Sequence, residues 1–213
     1  SLALMATVLF TACQKEEINP NAQGASQVTF SVEIPDIAQT RAISEDGSMV
    51  NKLIYTVYQT TVTVEDDAYS AITPADKVYS GEAIVKEGIS TATIELLNDQ
   101  NYVILFWAQR DDKWGSKDGK DGKPVIDLLN ITYPGELSAN DETLEAYSGK
   151  SYVSNINGSI SRDIILTRPF AQINVGTTLP NPENFTVKLT ESDFIVRGAG
   201  NKFNVATGEP DEN

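Results

Sequence analysis

The feature that most constrains this fold is a series of short β-strand patterns separated by turn residues. The first is the clearest: Val28, Phe30, Val32 and Ile34 alternate with polar residues, and Pro35 ends the run. Alternation with a period of two places these four side chains on one face of a strand, where a core can cover them. Helical periodicity is weak along the 213 residues. The chain is therefore predicted to be an all-β sandwich with little helix.

More strand patterns follow. Residues 53–64 are rich in β-branched and aromatic side chains, and residues 77–87 and 89–97 are separated by Gly88 as in a hairpin. Residues 102–108 form a nearly continuous apolar run, which indicates a strand buried on both faces. Further strand candidates are residues 160–166, 170–175, 185–189 and 194–196. Weak helical patterns, each sufficient for about one turn, occur at 124–129 and 137–147.

The segment before Cys13 is apolar and uncharged, and charge begins directly after it at Lys15. Such a run is short for a bilayer-spanning helix but suits the core of a signal peptide. The small residues Thr11 and Ala12 before the cysteine fit a lipoprotein signal peptidase. Cys13 is therefore predicted to carry lipid through a thioether, which makes outer-membrane lipid a partner. A buried N-terminal helix with an incidental cysteine is the alternative.

Three regions are expected along the chain. Residues 1–13 are a lipoprotein signal truncated at its start, since no basic leader precedes the apolar run. Residues 14–41 are a polar tether and a leader that contains the first strand. Residues 42–213 are a β-sandwich domain, after which a C-terminal domain is expected to be missing.

Composition excludes several classes of function. Sixteen basic residues stand against 30 acidic ones, for a net charge of −14, so nucleic acid is not an expected partner. The chain has no histidine and one cysteine. Zinc sites of the Cys/His type, His-dependent catalysis and an internal disulfide are thereby excluded. Carboxylate-based catalysis stays open on composition alone, but no feature selects a catalytic pair among the 30 acids. We expect no enzyme, no catalytic residue, no metal and no cofactor.

Acidic residues at Asp111-Asp112 and 118–122 raise the question of a calcium loop. The regular offsets of oxygen ligands that such a loop needs are absent. Lysines at 113, 117, 120 and 123 interleave with the acids and compete for them. Residues 113–123 are therefore interpreted as a solvent-exposed loop, and acid pairs such as Glu65-Asp66 as solvated turns.

Two tryptophans could stack on sugars. Trp107 lies within the apolar run and is expected in the core. Trp114 lies in the polar loop, where it is either a loop aromatic or a ligand contact.

The stretch 166–175, LTRPFAQINV, is the most distinctive in the chain. It resembles the Leu-x-Arg-x-x-Ala-x-Ile-x-Val signature of the fimbrillin superfamily, the fimbrial subunits and related surface lipoproteins of Bacteroides-type bacteria. The matching positions are Leu166, Arg168, Ala171, Ile173 and Val175. All are interpreted as structural, with Arg168 either exposed or paired with a carboxylate.

The lipobox at Cys13 and the sequence Thr40-Arg41-Ala42 also resemble that superfamily. The resemblance implies a transthyretin-like Greek-key sandwich and export to the outer membrane and cell surface as a lipoprotein. It further implies cleavage after Arg41, with Ala42 as the new N-terminus, and departure of the leader strand. A donor strand from the next subunit would then fill the opened sheet by β-augmentation. An ordinary loop arginine is the alternative for Arg41.

Two functions follow as hypotheses. The first is a structural subunit or tip adhesin of a fimbria, whose partners are other fimbrial subunits in a homo- or hetero-polymer. The second is a surface lipoprotein that never polymerises and binds a glycan or a host protein. In that case the first strand stays in place, Cys13 remains the anchor and Trp114 is a candidate contact.

Overall fold

The computed structural model describes residues 24–35, 50–119, 122–133, 144–169 and 202–211. These contain a seven-residue helix, α1 (Glu65–Ala71), and a 3-10 turn at Pro74–Asp76. The strands are β1 (Ala25–Glu33), β2 (Lys52–Thr60), β3 (Lys77–Ile84), β4 (Ile89–Leu97), β5 (Asn101–Gln109), β6 (Ile131–Thr132), β7 (Ala146–Val153), β8 (Ile160–Ile165), β9 (Lys202–Asn204) and β10 (Glu209–Asp211). No helix among these residues is both long and apolar enough to span a membrane.

Two sheets pack face to face. One has the strand order β4-β1-β8 and the other β3-β2-β5-β7. The inward side chains of β1 meet those of β5, with the rings of Phe30 and Phe106 edge to face at 5.2 Å. Strands that alternate apolar and polar residues can bury only one face, so two sheets must cover each other. The predicted all-β sandwich with little helix is confirmed.

The connections between strands cross from one sheet to the other. Strands β1 and β4 are neighbours, although β2 and β3 of the opposite sheet lie between them in the chain. This is the type of connection found in Greek-key sandwiches.

The turn predicted around Gly88 is present, but the two strands beside it, β3 and β4, do not pair with each other as a hairpin requires. Glu87 and Gly88 have φ angles of 51° and 74°, and Lys86 and Ile89 exchange two backbone hydrogen bonds of 2.9 Å. Beyond this turn, β3 pairs with β2 and β4 pairs with β1. A period-two pattern identifies a strand but does not identify the strand beside it.

The sheet that contains β5 is covered on both faces. Ile104 and Phe106 belong to the core between the sheets, whereas Leu105 and Trp107 belong to a second apolar cluster on the other face. Helix α1, the loop after β5, strands β6 and β9, and the outer faces of β2 and β7 also contribute to that cluster. The predicted strand buried on both faces is confirmed.

Several local predictions are wrong. Glu65-Asp66 is exposed as predicted but forms the first turn of α1 and not a turn at a strand end; acids at a helix N-terminus are favourable. Residues 146 and 147, placed in a weak helical pattern, belong to β7, and residues 124–129 form no helix.

Trp114 is buried, which corrects the interpretation of residues 113–123 as a solvent-exposed loop. Its side chain is 4% exposed, and its ring lies 5.1 Å from that of Trp107 and 5.7 Å from that of Tyr133. The loop folds back because the outer face of β5 presents apolar side chains that need a cover.

Trp114→Ala is therefore expected to lower the free energy of unfolding by about 3–5 kcal/mol, because it leaves a cavity against Trp107. Val125→Ala is the matched control from the connection after β5. The Val125 side chain is 58% exposed, so its removal should change the free energy of unfolding by no more than about 0.5 kcal/mol. Urea unfolding measures both, and an unchanged midpoint for Trp114→Ala would contradict the burial.

Candidate functional site

The first strand is the middle strand of its sheet. On one side, β1 pairs antiparallel with β4 over nine residues, from Ala25 opposite Leu97 to Glu33 opposite Ile89. On the other side it pairs in parallel with β8 over six residues, starting with Val28 opposite Ile160. Both edges of β1 are thus bonded, and it joins β4 to β8.

The inward face of β1 is the one predicted from the sequence. Val28, Phe30 and Val32 are at most 1% exposed, and Ile34 is 7% exposed. Burying such a side chain contributes about 1.5–3 kcal/mol, and ordering the backbone costs about 1–2 kcal/mol per residue. The two terms are of similar size, so ladder hydrogen bonds and the fit of the side chains decide how firmly β1 is held.

The space that β1 occupies between β4 and β8 is called here the β1 groove. Opposite Phe30, β4 carries the small residue Ala92, and Phe106 of β5 lies beneath, so the groove is wide enough for an aromatic ring at its centre. Ile94 of β4 and Ile164 of β8 are buried in the same core. An extended strand with alternate apolar side chains fits this groove.

Backbone bonds close the groove at the end where β1 leaves it. The amide of Ile34 donates to the carbonyl of Gly88 at 2.8 Å, and the amide of Leu166 donates to the carbonyl of Glu33, also at 2.8 Å. Residues 36–49 then connect β1 to the opposite sheet. Arg41 lies in this connection, so cleavage there would leave β1 bound to the residues after it only by non-covalent contacts.

The motif residues Leu166 and Arg168 lie where the chain changes sheets. Thr167 and Ser148 of β7 exchange backbone hydrogen bonds of 2.8 and 2.9 Å, directly after β8 has ended. Leu166 is fully buried, and Gly149 beneath it has no room for a side chain: a Cβ atom there would lie 2.6 Å from Leu166 Cδ2.

Arg168 is paired with a carboxylate, the second of the two predicted alternatives. Its guanidinium forms an ion pair with Glu145. The Tyr147 hydroxyl donates to Glu145 Oε1 at 2.7 Å and accepts from Arg168 Nε at 3.3 Å. The cluster fixes the end of β8 against β7 and so helps to hold one side of the β1 groove.

The remaining predicted site residues lie outside the described residues. They are the lipidation site Cys13, the processing site Arg41 and Ala42, and the motif residues Ala171, Ile173 and Val175. Their roles stay predictions.

Sequence reasoning missed one inward residue of β1. Ser26 is 7% exposed and points to the same side as Val28. The one indication in the sequence was its spacing, since Ser26 lies two residues before Val28 and continues the alternation. A polar residue at this position is not expected to be buried, so the alternation is predicted to begin at Val28.

The acidic loop is held by lysines. Asp111 Oδ1 lies 2.7 Å from Lys52 Nζ and 3.1 Å from Lys123 Nζ. These contacts lower the pKa of Asp111: the hydrogen bond from Lys52 is the largest cause, partial burial opposes it, and Lys123 adds to the lowering. Within the described segments, no group of three or more His, Cys, Asp or Glu side chains is placed to hold a metal ion.

The lowered pKa of Asp111 predicts an acid-dependent loss of stability. Because the folded-state pKa lies below the unfolded one of about 3.9, the contribution is fully present above that pH and is lost as the pH falls through the folded pKa. Asp111→Asn and Lys52→Met should each lower stability at neutral pH and flatten its decrease below about pH 4. Urea unfolding from pH 3 to 7 tests this, and wild-type slopes in both variants would contradict it.

A putative polysaccharide binding protein (DUF1812) from Bacteroides thetaiotaomicron matches 67% of this chain and 47% of its own, with 12% identity and a TM-score of 0.42. A fimbrial assembly protein from Parabacteroides distasonis matches 68% and 53%, with 13% identity and a TM-score of 0.36. The chain spans about half the length of these structures. At these TM-scores neither similarity carries a conclusion about fold or function.

No curated protein matches the chain. One family model does, that of a family of unknown function (DUF6562), and the match extends over residues 20–213.

Proposed function

The chain belongs to the DUF6562 family, and we propose that it is a subunit of a cell-surface fimbria, in the shaft or at the tip, that assembles by strand exchange. The observation that carries the proposal is the place of β1. It is the first strand of the described chain, yet it lies in the middle of a sheet.

A middle strand that leaves its sheet uncovers more than an edge strand does. Departure of β1 would free the backbone groups of β4 over nine residues and those of β8 over six. It would also expose the apolar floor of the groove around Phe106. Unpaired strand edges beside an apolar surface are a template for another strand, which a neighbouring subunit can supply.

Because β1 precedes the other described strands in the sequence, a single cut in the chain would release it. Everything up to β1 is connected to the later strands through residues 36–49, which contain Arg41. A single cut at Arg41 would separate β1, together with the lipid proposed at Cys13, from the rest of the sandwich. The resemblance of residues 166–175 and of the lipobox to the fimbrillin superfamily supports export to the outer membrane and assembly at the surface.

The rival hypothesis, a non-polymerising lipoprotein that binds a glycan or host protein, loses its candidate contact. Trp114 is buried against Trp107 and cannot stack on a sugar without leaving the core.

Arg41→Ala should abolish both processing and fibre formation, because the leader strand then stays covalently attached. Immunoblotting of surface protein detects the cleaved form, and electron microscopy detects fibres. Arg110→Ala, which breaks an ion pair with Asp112 and leaves residues 36–49 unchanged, is the control and should assemble normally. Fibres built from uncleaved Arg41→Ala protein would contradict the proposal.

A covalent lock between β1 and β4 should also block assembly. Thr29 and Thr93 are directly opposite, and their hydroxyl oxygens lie 3.4 Å apart, which suits a disulfide between cysteines at these positions. We expect the oxidised Thr29→Cys/Thr93→Cys protein to be cleaved but not to polymerise, and reduction to restore polymerisation. Each single variant should polymerise under both conditions. Fibres from the oxidised double variant would show that β1 need not leave.

A further inference from the structure

We infer that the β1 groove selects its occupant through a polar pocket at one end, which requires a small hydroxyl side chain on the incoming strand. The inference rests on the proposed strand exchange. The strand that the groove accepts is expected to have a serine or threonine two residues before its first apolar inward residue.

The pocket is formed around Ser26. The Ser26 hydroxyl donates to Asn98 Oδ1 at 2.6 Å and accepts the backbone N–H of Gly158 at 2.8 Å. Both hydrogen-bonding functions of the hydroxyl are therefore used. The Ser26 side chain is 7% exposed, Asn98 is half-buried and Gly158 is exposed, so the pocket lies at the rim of the groove.

Each side of the groove contributes one of these groups. Asn98 directly follows β4, and its backbone N–H donates to the carbonyl of Gly24 at 2.5 Å. Gly158 lies in the turn before β8 and has a φ of +98°, a conformation that a residue with a side chain rarely adopts. The acceptor and the donor thus lie next to the ends of β4 and β8 and would remain when β1 leaves.

The pocket fixes the register of the strand in the groove. An alternating strand that slides by two residues keeps its apolar side chains inward, so apolar burial alone does not exclude the slip. Sliding by two would move the hydroxyl out of the pocket and bring an apolar side chain against Asn98 and Gly158. The hydrogen bonds of the hydroxyl to Asn98 Oδ1 and from the Gly158 N–H would then both be lost, and the apolar side chain would cover these two groups, which is unfavourable.

The centre of the groove is a second position that selects the side chain of the occupant. Phe30 fills the width opposite Ala92 and contacts Phe106. The preferred occupant therefore carries, on its inward face and in order, a hydroxyl, an aliphatic residue, an aromatic residue and two aliphatic residues. This order distinguishes it from a strand that is merely apolar on one face.

The test uses the full chain with a specific protease site inserted into residues 36–49, cut after folding. A fluorescent peptide of residues 24–35 is added in excess, and its incorporation is followed by anisotropy and native mass spectrometry. We expect the Ser26→Val peptide to bind at least about tenfold more weakly than the native peptide. The matched Ser31→Val peptide makes the same change on the outward face and should bind within about threefold of the native peptide.

A variant protein assigns the effect to the pocket. In Asn98→Ala protein the preference for serine over valine at position 26 should fall below about threefold, whereas Asn98→Asp, which keeps the acceptor, should retain it. If the native peptide exchanges but the Ser26→Val and Ser31→Val peptides bind equally well, the polar pocket is overturned and strand exchange stands. If no peptide exchanges, the proposed function is overturned and the inference with it.

Discussion

The ladders on both sides of β1 are the interaction on which one half of this sandwich depends. Strands β4 and β8 are held in a common sheet through β1, by nine antiparallel and six parallel residue pairs. The same strand covers the inner face of β5 with Phe30. A sheet arranged in this way cannot lose its first strand without gaining another, because both edges and the floor would be exposed together.

The other half of the sandwich does not share this dependence. The sheet β3-β2-β5-β7 has a second apolar cluster on its outer face, in which Trp107, Trp114 and Phe203 pack together with side chains of α1. The Arg168–Glu145 pair links the end of β8 to the start of β7. A body buried on two faces would suit the proposed strand exchange, since most of its core would stay in place.

The sequence predicted the strands whose apolar pattern is regular and missed those whose pattern is interrupted. Alternation identified β1 and its inward face, and the apolar run identified β5. Strand β7 was missed because Gly149 and Lys150 interrupt its apolar residues, and α1 because seven residues are too few for a helical period. Pairing partners were not predictable, since the pairings of β1 join residues far apart in the chain. For the same reason, the contact of Ser26 with Asn98 emerges only from the fold.

The central claim is that the sandwich gives up β1 and accepts a strand in its place. The most direct test is the N-terminal sequence of the protein purified from surface fibres, read by mass spectrometry of the intact subunit. The account predicts a subunit that begins at Ala42 and lacks residues 25–33. A subunit that begins at a lipidated Cys13 and still contains β1 in its own covalent chain would contradict it.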